Sequence, residues 1–265
     1  MMKFDENAMS PVGADAEARD SRARRNSSGT GELAELRTRQ TPQVVRRKAI
    51  DASRESDTAV KLSLSDIEGV LPCFTPGTLI ATGKGERRVE TLQAGDRVIT
   101  RDRGMQVVHW VGKTTLTEKD LRAQPAMRPV RLRAGCLGPD RPARDMLLSP
   151  NHRVLFNESQ YTGKFAGSEV MAAAKHLTWM PGITQARAET VTYIHFMFAQ
   201  HELVLSDGLW SESFQAGDYT LNALDRRQRD AIFQIFPDLK GHEGMDGFTP
   251  ARRVLSRKEA RLLGA

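Results

Sequence analysis

Cysteine is scarce in this chain, with only Cys73 and Cys136 among 265 residues. Two thiols build no disulfide framework, so a reducing compartment or a reactive thiol is the better reading. Aromatic residues are thin, at 6%, and the excess positive charge of +6 is spread along the chain instead of gathered in one aromatic-laced patch. That argues against a nucleic-acid partner, because such binders cluster basic residues with stacking surfaces. No run of about eighteen apolar residues is present, and the N-terminus lacks the apolar core of a secretory signal. The expectation is a soluble protein with no membrane partner, either cytoplasmic or exported by a signal of another kind. The apolar share, 39%, is below the globular norm and points to a tail outside any core.

What is present divides the chain into three. Residues 1–65 alternate charge with small polar residues, as in Arg19-Asp20-Ser21-Arg22-Ala23-Arg24-Arg25, and carry no apolar period. They are expected to be a disordered segment. Residues 66–216 switch to short strands between turn signals, the texture of an all-β domain. Strands are expected at 78–82, 97–100, 107–111, 129–133, 145–148, 153–156, 191–198 and 202–205. Turns are expected at Gly83-Lys84-Gly85, Gly95-Asp96, Arg103-Gly104 and Asp207-Gly208. The alanines of Val170-Met171-Ala172-Ala173-Ala174 predict a helix over 168–176. Residues 217–265 read as a short helical extension that docks on the domain or on a protein partner. There Asn222 is placed to cap a helix carrying Ala231, Ile232, Ile235 and Phe236 until Pro237 stops it, and Ser256 with Glu259 forms a capping box for a second helix.

The chemistry centres on Cys73-Phe74-Thr75-Pro76-Gly77-Thr78, together with Ser149-Pro150-Asn151-His152 far downstream. Thr75-Pro76-Gly77 cannot continue a helix, so the thiol is borne on a strand. Its nearest target is the peptide bond between Pro72 and Cys73. Exchanging that amide for a thioester is uphill unless the amide is strained or its nitrogen is protonated as it leaves. A histidine can supply the proton and a hydroxyl can stabilise the oxyanion; His152 and Ser149 fit those two tasks. Pro150 makes a rigid bend that can hold both toward one site. Asp145 shares a strand face with Ser149 and is either an auxiliary that orients His152 or a solvated loop acid. His195 alternates with Tyr193 and Met197 and is either an auxiliary or a core histidine. His195, His201 and Glu202 lack a helical zinc spacing and a third ligand, so no metal is expected, and no cofactor either. Cys136 is read as structural.

These pieces, with Val89-Glu90-Thr91-Leu92-Gln93-Ala94-Gly95-Asp96 between them and Ser206-Asp207-Gly208-Leu209-Trp210 closing them, resemble the autoprocessing domains of the Hedgehog/intein (Hint) family as found in many bacterial proteins. The resemblance spans about Cys73 to Phe214. It implies a flat, horseshoe-like β fold with pseudo-twofold halves, a catalytic set of Cys73, Ser149, His152 and His201, and His201 as the histidine of the closing motif. It also places Ser211-Glu212-Ser213-Phe214 where inteins carry a histidine and a cyclising asparagine, and Ser213 where Hedgehog-type domains carry a cysteine. Splicing is therefore not expected. Self-cleavage at Pro72–Cys73 is, by hydrolysis or by transfer to an acceptor nucleophile, with the chain's own N-terminal segment as substrate, and the Pro72 ring should slow it. Two alternatives stand beside this reading: a catalytically silent Hint-fold interaction module, and a Cys/His hydrolase acting in trans.

Overall fold

The computed structural model describes residues 71–157, 168–241 and 248–263. The N-terminal segment expected to be disordered lies outside the described residues. Those described are mostly β with a few short helices. In chain order the strands are β1 (Leu79–Thr82), β2 (Gly85–Arg88), β3 (Arg97–Thr100), β4 (Gly104–Val107), β5 (Trp110–Leu116), β6 (Val130–Leu132), β7 (Met146–Leu148), β8 (Arg153–Phe156), β9 (Val170–Ala173), β10 (Ile183–Gln185), β11 (Val191–Met197), β12 (Leu203–Ser206), β13 (Leu209–Glu212) and β14 (Arg253–Val254). The helices are α1 (Glu118–Ala123), α2 (Asp218–Asn222), α3 (Arg226–Ile235) and α4 (Arg257–Ala260).

Nine strands form one open sheet ordered β14-β9-β8-β13-β12-β1-β3-β4, with β2 paired to β1. A three-stranded sheet, β10-β6-β7, and the long pair β11-β5 complete the set. The Asp-Gly signal behaves as its chemistry requires: Asp207 and Gly208 both take positive φ, 45° and 78°, and close the β12–β13 hairpin. A side chain at Gly208 would also strike the Asp140 carbonyl, 2.8 Å from an added Cβ.

β11 divides the core. Ile194 and Phe196 on one face join a cluster with Phe74, Ile80 and Leu148. Tyr193 and Met197 on the other join Cys73, Trp110, Phe214 and Ile232. The C-terminal extension belongs to both clusters. Ile232 and Phe236 of α3 enter the second, Leu255 and Ala260 the first, and β14 adds a parallel strand beside β9.

Three expectations are corrected. Residues 170–173 form β9, fully buried between β8 and β14, with only a 3-10 turn at Ala174–His176. Alanine's helix propensity is worth a few tenths of a kcal/mol per residue, and pairing inside a sheet overrides it. The strand expected over 107–111 is broken, because Val108 and His109 hand the chain from the large sheet to β11: Val108 N–H donates to Asp96 O and His109 N–H to Met197 O. Asn222 ends α2 instead of capping the next helix. Asp225 caps α3, its side chain accepting from Gln228 N–H at 2.9 Å. Ser256 and Glu259 form the capping box of α4, as their spacing predicts, and α3 stops before Pro237.

Candidate functional site

The segment from Leu71 to Thr75 is threaded as an isolated strand between β7 and β11. Phe74 bridges to Leu148 on one side and Ile194 on the other, exchanging both backbone hydrogen bonds with Ile194 at 2.8 and 2.9 Å. Ser149 N–H donates to Cys73 O at 3.0 Å. Cys73 is thus held in extended backbone by its neighbours, and the alternation along β11 delivers His195 to the side of the thiol.

The Cys73 Sγ lies 3.3 Å from His195 Nδ1. On the far side of that ring, Nε2 is 3.0 Å from Gln228 Oε1. The Gln228 amide nitrogen donates to Asp225 Oδ2, Lys113 O and Thr114 Oγ1, which leaves Oε1 as the atom facing the histidine. An accepting Oε1 requires hydrogen on Nε2, so the Nδ1 lone pair points at the thiol. The ring lies between Trp110 and Phe214, with centroids 5.1 and 5.5 Å away.

Ser149 grips both sides of Pro72. Its Oγ accepts from Cys73 N–H at 2.8 Å and donates to Leu71 O at 2.6 Å. The hydroxyl expected to stabilise an oxyanion thus gives its proton to the Leu71 carbonyl and accepts from the Cys73 amide. The turn that carries it is closed by His152 N–H donating to Ser149 O at 3.0 Å, with Pro150 in the second position. His152 stacks edge-on against Phe74, ring centroids 4.4 Å apart, and neither of its ring nitrogens has a hydrogen-bond partner.

Behind His152 sits a fully buried carboxylate, Glu212. It accepts from Arg153 N–H at 2.8 Å and from the Arg153 guanidinium at 3.2 Å, and His201 Nε2 lies 3.2 Å from it. His201 Nδ1 accepts from Ala251 N–H at 2.9 Å. His201 therefore braces Glu212 and does not reach the thiol by any of its hydrogen bonds. Ser213 accepts from Glu202 N–H at 3.0 Å within the closing hairpin. Asp145 is exposed, pairs with Arg131 and accepts from Ala134 N–H at 2.8 Å. Both of its oxygens are thus engaged by Arg131 and Ala134.

Burial dominates the electrostatics. Desolvation pushes the Cys73 thiol well above its usual pKa, against the Ser149 hydrogen bond and helped by the Glu212 charge. It lowers both His152 and His195 to about 4. For His152, Glu212 and the Cys73 backbone oppose the drop while Arg153 and His201 add to it; for His195, Gln228 and Asp225 oppose it. Burial also works against ionisation of Glu212, but His201, Arg153 and His152 outweigh it and hold the carboxyl below its usual range. The resting site is a neutral thiol beside a neutral imidazole, with one buried anion close enough to favour the charged form of the second imidazole.

Sequence reasoning did not single out Glu212, Gln228 or Gly112 as site residues. Glu212 stood in the closing motif and was read only as a missing asparagine. Gln228 follows Asp225 by three positions, a capping signature with nothing in it to say that the helix docks on β5. Gly112 is paired with His195 across β5 and β11, and a Cβ there would lie 2.4 Å from His195 Nε2, Gln228 Oε1 and the Trp110 ring.

A mostly β scaffold whose buried cysteine–histidine centre adjoins the chain's own peptide backbone defines the class. Residues 72–218, more than half of the chain, match the family model described as the Hint domain, and the chain belongs to that family. Among solved structures it is similar to a bacterial intein-like domain from Clostridium thermocellum, with 14% identity over 54% of this chain and 99% of that one and a TM-score of 0.36. It is also similar to a DnaB intein from Synechocystis, with 10% identity over 54% and 98% of the two chains and a TM-score of 0.32. No curated protein matches. No helix among the described residues is long and apolar enough to cross a membrane.

Proposed function

We propose that this Hint domain cleaves its own Pro72–Cys73 bond once, without splicing. The observation that carries the reading is the 3.3 Å contact between Cys73 Sγ and an imidazole nitrogen whose lone pair faces it. His195 takes the thiol proton on Nδ1, and the sulfur attacks the Pro72 carbonyl carbon. The carbon–nitrogen bond breaks, and its electron pair stays on the Cys73 nitrogen, which takes a proton from the minor imidazolium form of His152 that the Glu212 charge favours; the proton gathered on His195 balances the one His152 gives up. The products of this step are a Pro72 thioester and a free Cys73 amine. Water or an acceptor nucleophile then attacks the thioester, releases the segment ending in Pro72 and returns the thiol. Ser149 holds the leaving nitrogen and the Leu71 carbonyl in register throughout.

Chemistry stops there because Ser211-Glu212-Ser213-Phe214 offers no cyclising asparagine, and the Ser213 hydroxyl is engaged with the Glu202 backbone. A thiol 2% exposed beneath α3 favours the bond already inside the site over a substrate that must enter it, which speaks against a hydrolase acting in trans. The test is the mass of the purified chain before and after incubation with hydroxylamine or dithiothreitol, both of which intercept thioesters. A fragment beginning at Cys73, absent in Cys73→Ala, is expected. An intact wild-type chain under both reagents would leave the silent interaction module as the better reading.

A further inference from the structure

Gln228 lies ten residues beyond Asp218, where the family match ends. It nevertheless makes a hydrogen bond to the imidazole that touches the thiol. We propose that Gln228 is a positioning residue, and that the C-terminal extension completes the site by fixing His195 in the tautomer whose Nδ1 lone pair faces Cys73. This rests on the reading of His195 as the base for the Cys73 thiol.

Three independent features carry it. The first is the geometry of the relay: Cys73 Sγ to His195 Nδ1 is 3.3 Å, and His195 Nε2 to Gln228 Oε1 is 3.0 Å. The second is that the glutamine cannot turn its amide over without loss. Its nitrogen donates to the Asp225 carboxylate, a charge-assisted bond, and points at Lys113 O and Thr114 Oγ1. A flip would place that nitrogen against the histidine and the oxygen against three acceptors. The third is the vacancy opposite: Gly112 leaves the space the pair needs, since a Cβ there would lie 2.4 Å from each of its two facing atoms.

A neutral histidine in the wrong tautomer presents N–H to a thiol that must lose a proton, and it cannot act as base. Choosing the tautomer is therefore worth as much as placing the ring. The same helix also buries the site, because Ile232 and Phe236 of α3 pack in the cluster that contains Cys73. Release of α3 would loosen the histidine and open the thiol together, so cleavage depends on the extension being seated.

The experiment uses the full chain with Cys73→Ala as background, so that no cleavage intervenes, and reads the ring nitrogens of His195 by nitrogen-15 NMR. A protonated Nε2 with a bare Nδ1 is expected. With Gln228→Met, which keeps the length and loses the acceptor, the two tautomers should mix. With Gln228→Glu, which keeps the acceptor, the Nε2–H form should persist. In the Cys73-bearing chain, Gln228→Met should slow thiol-induced cleavage about 100-fold. Gln228→Glu should restore it to within about tenfold and move the acid limb of the rate profile to higher pH, because a carboxylate at that place favours the imidazolium. An unchanged tautomer and an unchanged rate in Gln228→Met would overturn the proposal. No cleavage in wild type beside a clean Nε2–H signal that Gln228→Met scrambles would instead overturn self-cleavage and leave the positioning of His195 standing.

Discussion

His152 packs on the Phe74 ring and His195 meets the thiol of the neighbouring Cys73, and the two differ in little but their partners. Both are fully buried and both are lowered to about 4 by that burial. His195 has a group at each nitrogen, the thiol on one and Gln228 on the other. His152 makes no hydrogen bond at either, although the Cys73 backbone is near enough to favour its charged form. A base must be set before the reaction starts, because its lone pair has to meet the thiol in the ground state. An acid for the leaving amine gains by waiting, because only interactions that strengthen toward the transition state accelerate the step. On the proposed mechanism the nitrogen becomes a base as the amide breaks, and the Glu212 charge favours the His152 imidazolium that would give it a proton. By that proposed mechanism the two histidines share a chemistry, and their different surroundings suit them to opposite halves of it.

The comparison breaks most sharply when each ring is removed. His152→Ala and His195→Ala should each slow thiol-induced cleavage by roughly 100- to 10,000-fold, the usual weight of a general acid or base. They should differ in rescue. Raising the pH ionises more of the Cys73 thiol and so substitutes in part for the missing base, which should recover some rate in His195→Ala. It supplies no acid, and should leave His152→Ala as slow as before. Rate against pH by mass spectrometry checks this, and parallel profiles for the two variants would erase the division of labour.

Much of one half of the site was legible in the sequence and little of the other. Ser149 and His152 could be read as neighbours because Pro150 forces a turn between them, which the His152 N–H to Ser149 O bond closes. The strand-borne thiol was legible for a similar reason, since Thr75-Pro76-Gly77 forbids a helix locally. His195 was visible only as one of an alternating set on β11, and alternation says which residues share a face without saying what that face meets. Gln228 and Gly112 were out of reach. One is on a helix and the other on a strand far earlier in the chain, and their meeting is a product of tertiary packing. The same limit explains β9, where alanine-rich sequence reads as helix until the neighbours on both sides are known. His201 was read as the histidine of the closing motif, and that motif does not reveal that its ring turns to Glu212.

A smaller effect is expected from the glycine that makes room for the better-partnered histidine. Gly112→Ala puts a methyl 2.4 Å from His195, Gln228 and Trp110, of which only the glutamine can yield easily. The cost of overpacking should be about 1–3 kcal/mol in urea unfolding. Cleavage should fall by about the 100-fold expected for Gln228→Met, with the two losses not additive because they act on one contact. A Gly112→Ala chain that is destabilised yet cleaves normally would show that the relay tolerates displacement.

Acid should expose what the two rings have in common. A histidine whose folded pKa lies below its unfolded value stabilises the fold above about pH 6.5 and loses that contribution as pH falls toward the folded value, here about 4. The unfolded chain takes up protons through that window and the folded chain does not. Each ring should contribute on the order of 3 kcal/mol to the loss. Urea unfolding at successive pH values should show stability falling steadily between about 6.5 and 4, and His152→Phe, which keeps an aromatic ring against Phe74, should roughly halve the slope. A flat profile over that range would mean that both rings are hydrated, and half the expected slope that one is.

The smallest effect belongs to Asp145, which tests whether the division between the two histidines needs any further carboxylate. It precedes β7, which leads directly to Ser149, close enough in sequence to suggest a part in orienting His152. Its oxygens are spent on Arg131 and on the Ala134 N–H in an exposed position, while the carboxylate that favours a charged His152 is Glu212, buried behind it. Asp145→Asn should therefore leave the cleavage rate unchanged within about twofold and alter stability by no more than about 0.5 kcal/mol, the scale of an exposed ion pair. Glu212→Gln should slow cleavage and destabilise the fold in the same pair of assays, since it removes the buried partner of Arg153 and His201. If Asp145→Asn slowed cleavage tenfold while Glu212→Gln did not, the acid half of the site would have to be rebuilt around the exposed residue.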